Sequence, residues 1–349
     1  MMRVAWFARS LAIGLILANA GVAAAANCNM VQIAALPVRS DGSFLIVDGT
    51  INGQKIGIIA DTGASRSLIL RSAADRLGLA RRRARGYRMF GVGGETRVEA
   101  TWIDEFKVGD SVRKDWRVLV AGEHDFGADS SFVLGEDFFQ LADVEFDLEH
   151  HVLRLFQPKD CDGVSLAYWA TDGVGEAEIE ATDDAHPQVI LTVQINGRPV
   201  RALLDSGAGS SALTKSEAAR LGVIPETPGV MALGSGFGLG AQAIDNWVGP
   251  FESFVIGNEI IRNTTIRFAD LWKNATYTGG DLVPRHARGE LPMLLGADFL
   301  RAHRVLISHS QRKIYFTYTG GPVFQRRAMA PRTDASHPDD GTKPGQNVN

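Results

Sequence analysis

The chain has 349 residues, 45% of them hydrophobic, and a formal net charge of −4 at pH 7. That length suits two domains of ordinary size, each able to bury its own core. The mildly acidic balance gives no general attraction to nucleic acid or to an anionic membrane, so nucleic-acid binding is set aside.

Residues 1–26 read as an export signal. Arg3 and Arg9 precede an apolar stretch from Leu11 to Ala20, and Ala23 to Ala26 offer small-residue cleavage sites. An uncleaved membrane anchor is the alternative. No later segment carries the roughly 18 uninterrupted apolar residues of a spanning helix, so the mature chain is expected to be periplasmic or secreted, without stable membrane insertion. Asn27 stands where a small residue would precede a lipidated Cys28, which argues against a lipoprotein. Cys28 and Cys161 are the two cysteines. In an oxidising compartment an even count favours a disulfide between them, tying together the ends of a first domain expected over 27–165; two unpaired thiols are the alternative.

Short apolar and β-branched runs follow, Phe44 to Val47 and Lys55 to Ala60, with the hairpin signal Asn52-Gly53 between them. The second run ends at Asp61-Thr62-Gly63 and continues into Ala64. A short helix closing at Leu77-Gly78 comes next, then a basic run (Arg81, Arg82, Arg83, Arg85, Arg88) that reads as a solvated loop able to recruit acidic peptide, then Gly91-Val92-Gly93-Gly94. Val133-Leu134-Gly135-Glu136-Asp137-Phe138 precedes a last strand, Val152 to Phe156. His150-His151 sit at the turn before it, with no third residue at a metal-ligand spacing, so no metal is expected there.

After a linker expected at 166–174, the same series begins again. Ile195-Asn196-Gly197 repeats Ile51-Asn52-Gly53 at the offset that separates Asp205 from Asp61, with Val189 to Gln194 and Val200 to Leu204 as the strands. Asp205-Ser206-Gly207 again continues into alanine. Ala73 to Gly78 aligns without a gap to Glu217 to Gly222, and Thr214 with Glu217 has capping-box spacing. The glycine-rich segment recurs as Gly234-Ser235-Gly236, the closing signature as Leu294-Leu295-Gly296-Ala297-Asp298-Phe299, and the last strand as Lys313 to Tyr318. The second copy is longer, and the extra residues are expected as loop between Arg262 and Glu290. This is an internal duplication, with the second domain expected over 175–321 and a disordered tail over 322–349.

One Asp-(Thr or Ser)-Gly is an ordinary turn sequence. Two in register, each followed by a glycine-rich segment and by apolar-Leu-Gly-x-Asp-Phe, resemble the retropepsin-like aspartic proteases, over nearly all of the mature chain. The exported bacterial members are the nearest comparison. The resemblance implies an all-β fold: two tandem retropepsin-like β-barrel domains, each with one short helix, in a pseudo-two-fold bilobal unit. It implies that Asp61 and Asp205 are a catalytic pair acting on a polypeptide substrate without cofactor. It also implies that Thr62 and Ser206 hydrogen-bond across the interface and that Gly63 and Gly207 let the backbone approach the carboxylates. Gly91, Val92, Gly93 and Gly94, and Gly234, Ser235 and Gly236, fall where the family carries flaps over the substrate. Retroviral members often have an acidic residue two places after the motif glycine and an arginine in the later signature. Here those places hold Ser65 and Gly209, and Glu136 and Ala297.

The chemistry asks for two acids. Amide hydrolysis without a metal or a covalent intermediate needs one group to take a proton from water and another to give one to the carbonyl oxygen. Two carboxyls a few Å apart do not both ionise easily, so one stays protonated beside its charged partner. Gly236 to Ala241 also fits a loose dinucleotide fingerprint, but a strand-like stretch with Trp247, Pro250 and Phe251 follows where a helix is required. Two other readings stand beside an endopeptidase: a binding module that keeps the groove without cleaving, and a homodimer in which each repeat faces its twin. A monomer with one dyad is the expectation.

Overall fold

In the computed structural model, which describes residues 28–41, 43–127, 129–181, 187–272, 276–278, 284–286 and 291–324, each repeat starts from a tight hairpin. Strand Phe44–Ile51 pairs with Gln54–Ala60, and Ile190–Ile195 with Arg198–Leu204. Both residues of each two-residue turn are left-handed, Asn52 and Gly53 at φ 48° and 77°, Asn196 and Gly197 at φ 50° and 72°. That is the conformation Asn-Gly supplies most readily, and it matches the twist of the strands it joins. The expected export signal lies outside the described residues, as does the expected tail from 325 onward.

In each repeat the hairpin's second strand then receives a parallel neighbour. Phe132–Leu134 runs parallel to Gln54–Ala60 and antiparallel to Leu68–Leu70. Met293–Leu295 does the same with Arg198–Leu204 and Ala212–Thr214. These central runs are covered on both faces, which is why they read as unbroken apolar triplets rather than alternating ones. Four short helices punctuate the strands: α1 (Arg71–Arg76), α2 (Glu136–Phe139), α3 (Lys215–Arg220) and α4 (Ala297–Ala302). Thr214 caps α3 by accepting from Glu217 N at 3.2 Å. Each repeat therefore has one helix beyond the expected one, formed by the closing signature; it is too short to leave a helical period in the sequence. Strand Glu259–Ala269 extends through the start of the expected loop, so most of the second repeat's extra residues lie after Ala269, where Thr276–Thr278 pairs with Pro284–His286.

The two lobes share a sheet. Asp143–Asp147 from the first pairs antiparallel with His303–Ser308 from the second, in the register Val144↔Ile307, Glu145↔Leu306 and Phe146↔Val305. Val152–Lys159 and Asn29–Asp41 extend it on one side, Lys313–Tyr318 and Gly175–Glu178 on the other. Val144, Phe146, Val305 and Ile307 are fully buried, so one continuous apolar core runs through both lobes. The segment expected as a linker is packed: Leu166 is buried, and Trp169 Nε1 donates to Thr317 Oγ1 at 2.9 Å. His150 caps a turn, with its Nδ1 2.7 Å from Asp147 Oδ1. No helix among the described residues is long and apolar enough to cross a membrane.

Cys28 and Cys161 form a disulfide, joining the paired ends of Asn29–Asp41 and Val152–Lys159. Its presence points to an oxidising compartment. With a sequence separation of 133, the bond stabilises by about 5 kcal/mol in the chain-entropy account. The Cys28→Ser, Cys161→Ser double variant should therefore show a urea midpoint lowered in proportion; an unchanged midpoint would mean that the closed loop gives no constraint.

Candidate active site

Asp61 and Asp205 each stand just past the inner strand of a hairpin, and each is fixed there by the parallel neighbour. Asp61 N donates to Leu134 O at 3.0 Å, and Asp205 N to Leu295 O at 2.8 Å. The following turn folds back onto the carboxyl. Gly63 N and Ala64 N donate to Asp61 Oδ1 at 2.9 and 3.0 Å, and Ala208 N donates to Asp205 Oδ1 at 3.0 Å.

The residues next to them lock the two repeats together. Thr62 Oγ1 donates to Leu204 O at 2.6 Å and accepts from Ser206 N at 3.0 Å. Ser206 Oγ donates to Ala60 O at 2.8 Å and accepts from Thr62 N at 2.9 Å. Both hydroxyls are completely buried, so all four bonds are made away from water, where breaking one leaves an unpaired polar group. The exchange brings the carboxyls of Asp61 and Asp205 together within one chain, each against the other repeat's motif glycine. A Cβ on Gly63 would overlap the Asp205 carboxyl, and one on Gly207 the Asp61 carboxyl. Gly207→Ala should thus force the pair apart, and any turnover that depends on the pair should fall on the order of 100-fold beside wild type. Wild-type turnover in that variant would show that the close approach is dispensable.

Burial raises the Asp61 carboxyl above its ordinary range, against the backbone donors of its turn. Burial also pushes Asp205 well above that range, and the charge on Asp61 adds to it. The pair therefore retains one proton at pH values where separate aspartates have lost theirs, and the proton belongs to the pair. Such a pair can accept one proton and donate another in the same step.

A cavity of about 780 Å³ opens over the carboxyls. The first glycine-rich segment forms its roof: Met89–Gly91 pairs with Gly94–Thr96, and Val92 and Gly93 make the tip. In the second repeat Gly234, Ser235 and Gly236 lie in strand Met231–Gly236, paired with Ile244–Ile256, and the tip falls just beyond them. Phe237, Gly238 and Leu239 line the cavity there with Phe90, Gly91 and Val92. The loose dinucleotide fingerprint is this tip. The two tips touch, Gly240 N donating to Val92 O at 3.0 Å and Gln242 N to Gly93 O at 2.9 Å. Of the basic run, Arg81 pairs with Asp75 at 2.8 Å and Arg88 with Glu95 at 2.7 Å.

Several supports of the site lie outside the two Asp-(Thr or Ser)-Gly motifs. Asp137 Oδ1 accepts from Ser67 N and Oγ at 2.8 and 2.6 Å, and Asp298 Oδ1 accepts from Ser211 N and Oγ at the same two distances. Each closing-signature aspartate thereby clamps the loop that carries an active-site aspartate. The signal was available, since Ser67 and Ser211 occupy matching places in the two repeats. Burial pushes Asp298 up to about 6. Glu136 is fully buried, and neither carboxyl oxygen has a hydrogen-bond partner. Burial, with the charges of Asp61 and Asp137, holds it well above the usual carboxylate range, while burial lowers His309, whose Nε2 lies 3.6 Å away. Both shifts favour the uncharged form of the group. Arg301 Nη1 donates to Gly209 O at 3.1 Å and Nη2 to Ser43 O at 2.9 Å, so an arginine of α4 bridges the lobes at the motif position that lacks an acid.

A protein-family model described as "Aspartyl protease" matches the chain twice, over residues 47–138 and 191–299. A search of curated proteins gave no match.

Proposed function

The chain belongs to the retropepsin-like aspartyl protease family, and from that premise we propose that it is an exported endopeptidase whose single catalytic dyad is Asp61 with Asp205. Its domains are taken as 27–165 and 175–321. The observation that carries the proposal is the juxtaposition of two carboxyls, one from each repeat, held by the Thr62 and Ser206 exchange. In the reaction the charged carboxyl takes a proton from a water molecule as that water attacks the peptide carbonyl. The protonated carboxyl gives its proton to the carbonyl oxygen, and the dyad again holds one proton. The tips around Val92 and Leu239 cover the reacting bond and exclude bulk water.

The test is a library of unstructured peptides incubated with the mature protein across pH. Activity requires the singly protonated pair, so it falls at low pH when the second carboxyl gains a proton and at high pH when the shared proton is lost. Because both groups are raised, the alkaline limb should lie above the ordinary carboxylate range, with the optimum below neutrality. A wild type that cleaves nothing at any pH would remove the proposal in favour of a binding module.

A further inference from the structure

Five ionisable side chains line the cavity among the described residues: Asp61, Asp205, Glu180, Arg201 and Arg267. Two belong to the dyad. Glu180 and Arg201 neutralise each other in a two-pronged pair, Nη2 to Oε2 at 2.6 Å and Nε to Oε1 at 3.0 Å. Arg267 is different. Its Nε donates to Asn246 Oδ1 at 2.9 Å and its Nη1 to Ser210 Oγ at 2.9 Å, and both acceptors are neutral. No carboxylate among the described residues lies within ion-pair distance of it. The charge nearest in effect is Asp298, whose Oδ1 already accepts from Ser211 N, Ser211 Oγ and Phe299 N.

A guanidinium half-buried at a cleft wall without a counter-charge is costly, and burial does push Arg267 down from its ordinary value. Two side-chain acceptors nevertheless hold its fork in one orientation, leaving the remaining face to the cavity. The duplication isolates the feature further. Arg267 sits opposite Ala212 in the parallel pairing of the second repeat, and the matching pair in the first repeat is Leu68 with Leu119. The second lobe thus carries a fixed cation on the cavity wall, whereas the matching Leu119 of the first lobe packs against the core and does not line the cavity.

We propose that Arg267 is the anchor of a carboxylate-binding subsite in the second lobe, so that the preferred peptide carries an acidic group at one fixed distance from the bond cleaved. This rests on reading the cavity as a peptide-cleaving site. A planar fork with two donors already engaged suits a carboxylate better than a neutral amide, and the first-lobe wall, with Leu70, Phe126 and Val133, offers no matching cation among the described residues, so the peptide has one direction in which to lie.

The experiment uses peptide pairs that differ only by Glu against Gln at each position in turn, and by a free C-terminal carboxylate against an amide. The arms separate a side-chain source from a chain-end source. Wild type should favour the acid member at one position by about tenfold or more in kcat/KM, the size of one charge-assisted hydrogen bond. Arg267→Leu and Arg267→Met should bring that ratio close to one, and Arg267→Glu should invert it in favour of the amide member. Binding of the same pairs to Asp205→Asn protein reads the preference without turnover. An inert wild type overturns the endopeptidase reading; equal binding of acid and amide, or a preference that survives both neutral variants, overturns the subsite.

Discussion

Replacing Asp205 with Asn should lower peptide hydrolysis on the order of 10⁴-fold and, at neutral pH, raise the temperature at which the protein unfolds. The loss follows because an amide can neither hold the shared proton nor pass it on, and Asp61 alone cannot serve as both base and acid. The gain in stability follows from the direction of the shift. Asp205 is held above its ordinary pKa, so the folded protein binds that proton more tightly than the unfolded chain does. Its contribution to stability is complete below the unfolded pKa and is lost as pH rises through the folded one, leaving a charge beside Asp61 in a buried site. The Asp205→Asn substitution removes that penalty. The thermal difference between variant and wild type should therefore grow from acid to neutral pH, while activity is absent throughout. Asp61→Asn should lose activity equally. Turnover numbers and melting curves on the three proteins settle the matter, and full activity in either single variant would sink the shared dyad.

The largest effect on the fold is expected at Glu145. Its side chain is fully buried in the strand where the lobes meet, and it accepts from Arg154 Nη1 at 2.6 Å, Arg304 Nη2 at 2.8 Å and Tyr168 OH at 2.6 Å. Arg154 belongs to the first lobe and Arg304 to the second, so one carboxylate neutralises a cation from each. Burial, with Glu145 next, pushes the Tyr168 hydroxyl up to about 12. Glu145→Ala leaves two guanidiniums with only Asp147 to share, and should destabilise by about 3–5 kcal/mol. Against the roughly 5–15 kcal/mol typical of folded domains, that is enough to loosen the joint and lower activity with it. Glu145→Gln keeps the shape and an acceptor, and should cost about half as much. Urea unfolding of both variants, with Arg304→Ala and the double variant to close a cycle, measures the coupling. A loss below about 1 kcal/mol for Glu145→Ala would mean that the arginines find other partners.

Much of this was legible in the residues because duplication writes each essential feature twice. Asp61 and Asp205, Thr62 and Ser206, and the two Leu-Gly-x-Asp-Phe closures stand in register, and backbone needs such as Asn52-Gly53 are local enough to be read directly. What escaped was set by tertiary surroundings. Nothing in Val144 to Phe146 says that its strand pairs with the other repeat rather than closing its own barrel edge. Glu136 looks like a surface acid at the start of a helix, and its burial follows only from the second lobe, which brings His309 to its side. Arg267 lies in a strand of mixed exposure, where cleft and bulk water give the same pattern. The second tip was placed a few residues early because glycines mark it on both sides, and strand pairing alone decides which of them turn.

The shared sheet also sets an order of events. A chain made from its N terminus presents Asp61 first as a lone acid at the end of a strand, with Thr62 lacking its partner and Asp143–Asp147 lacking a neighbour. His303–Ser308, which docks on that strand, follows the whole second motif in the chain. On the proposed reading the two acids therefore meet late, after both repeats have emerged, and that delay is a property of the duplicated topology.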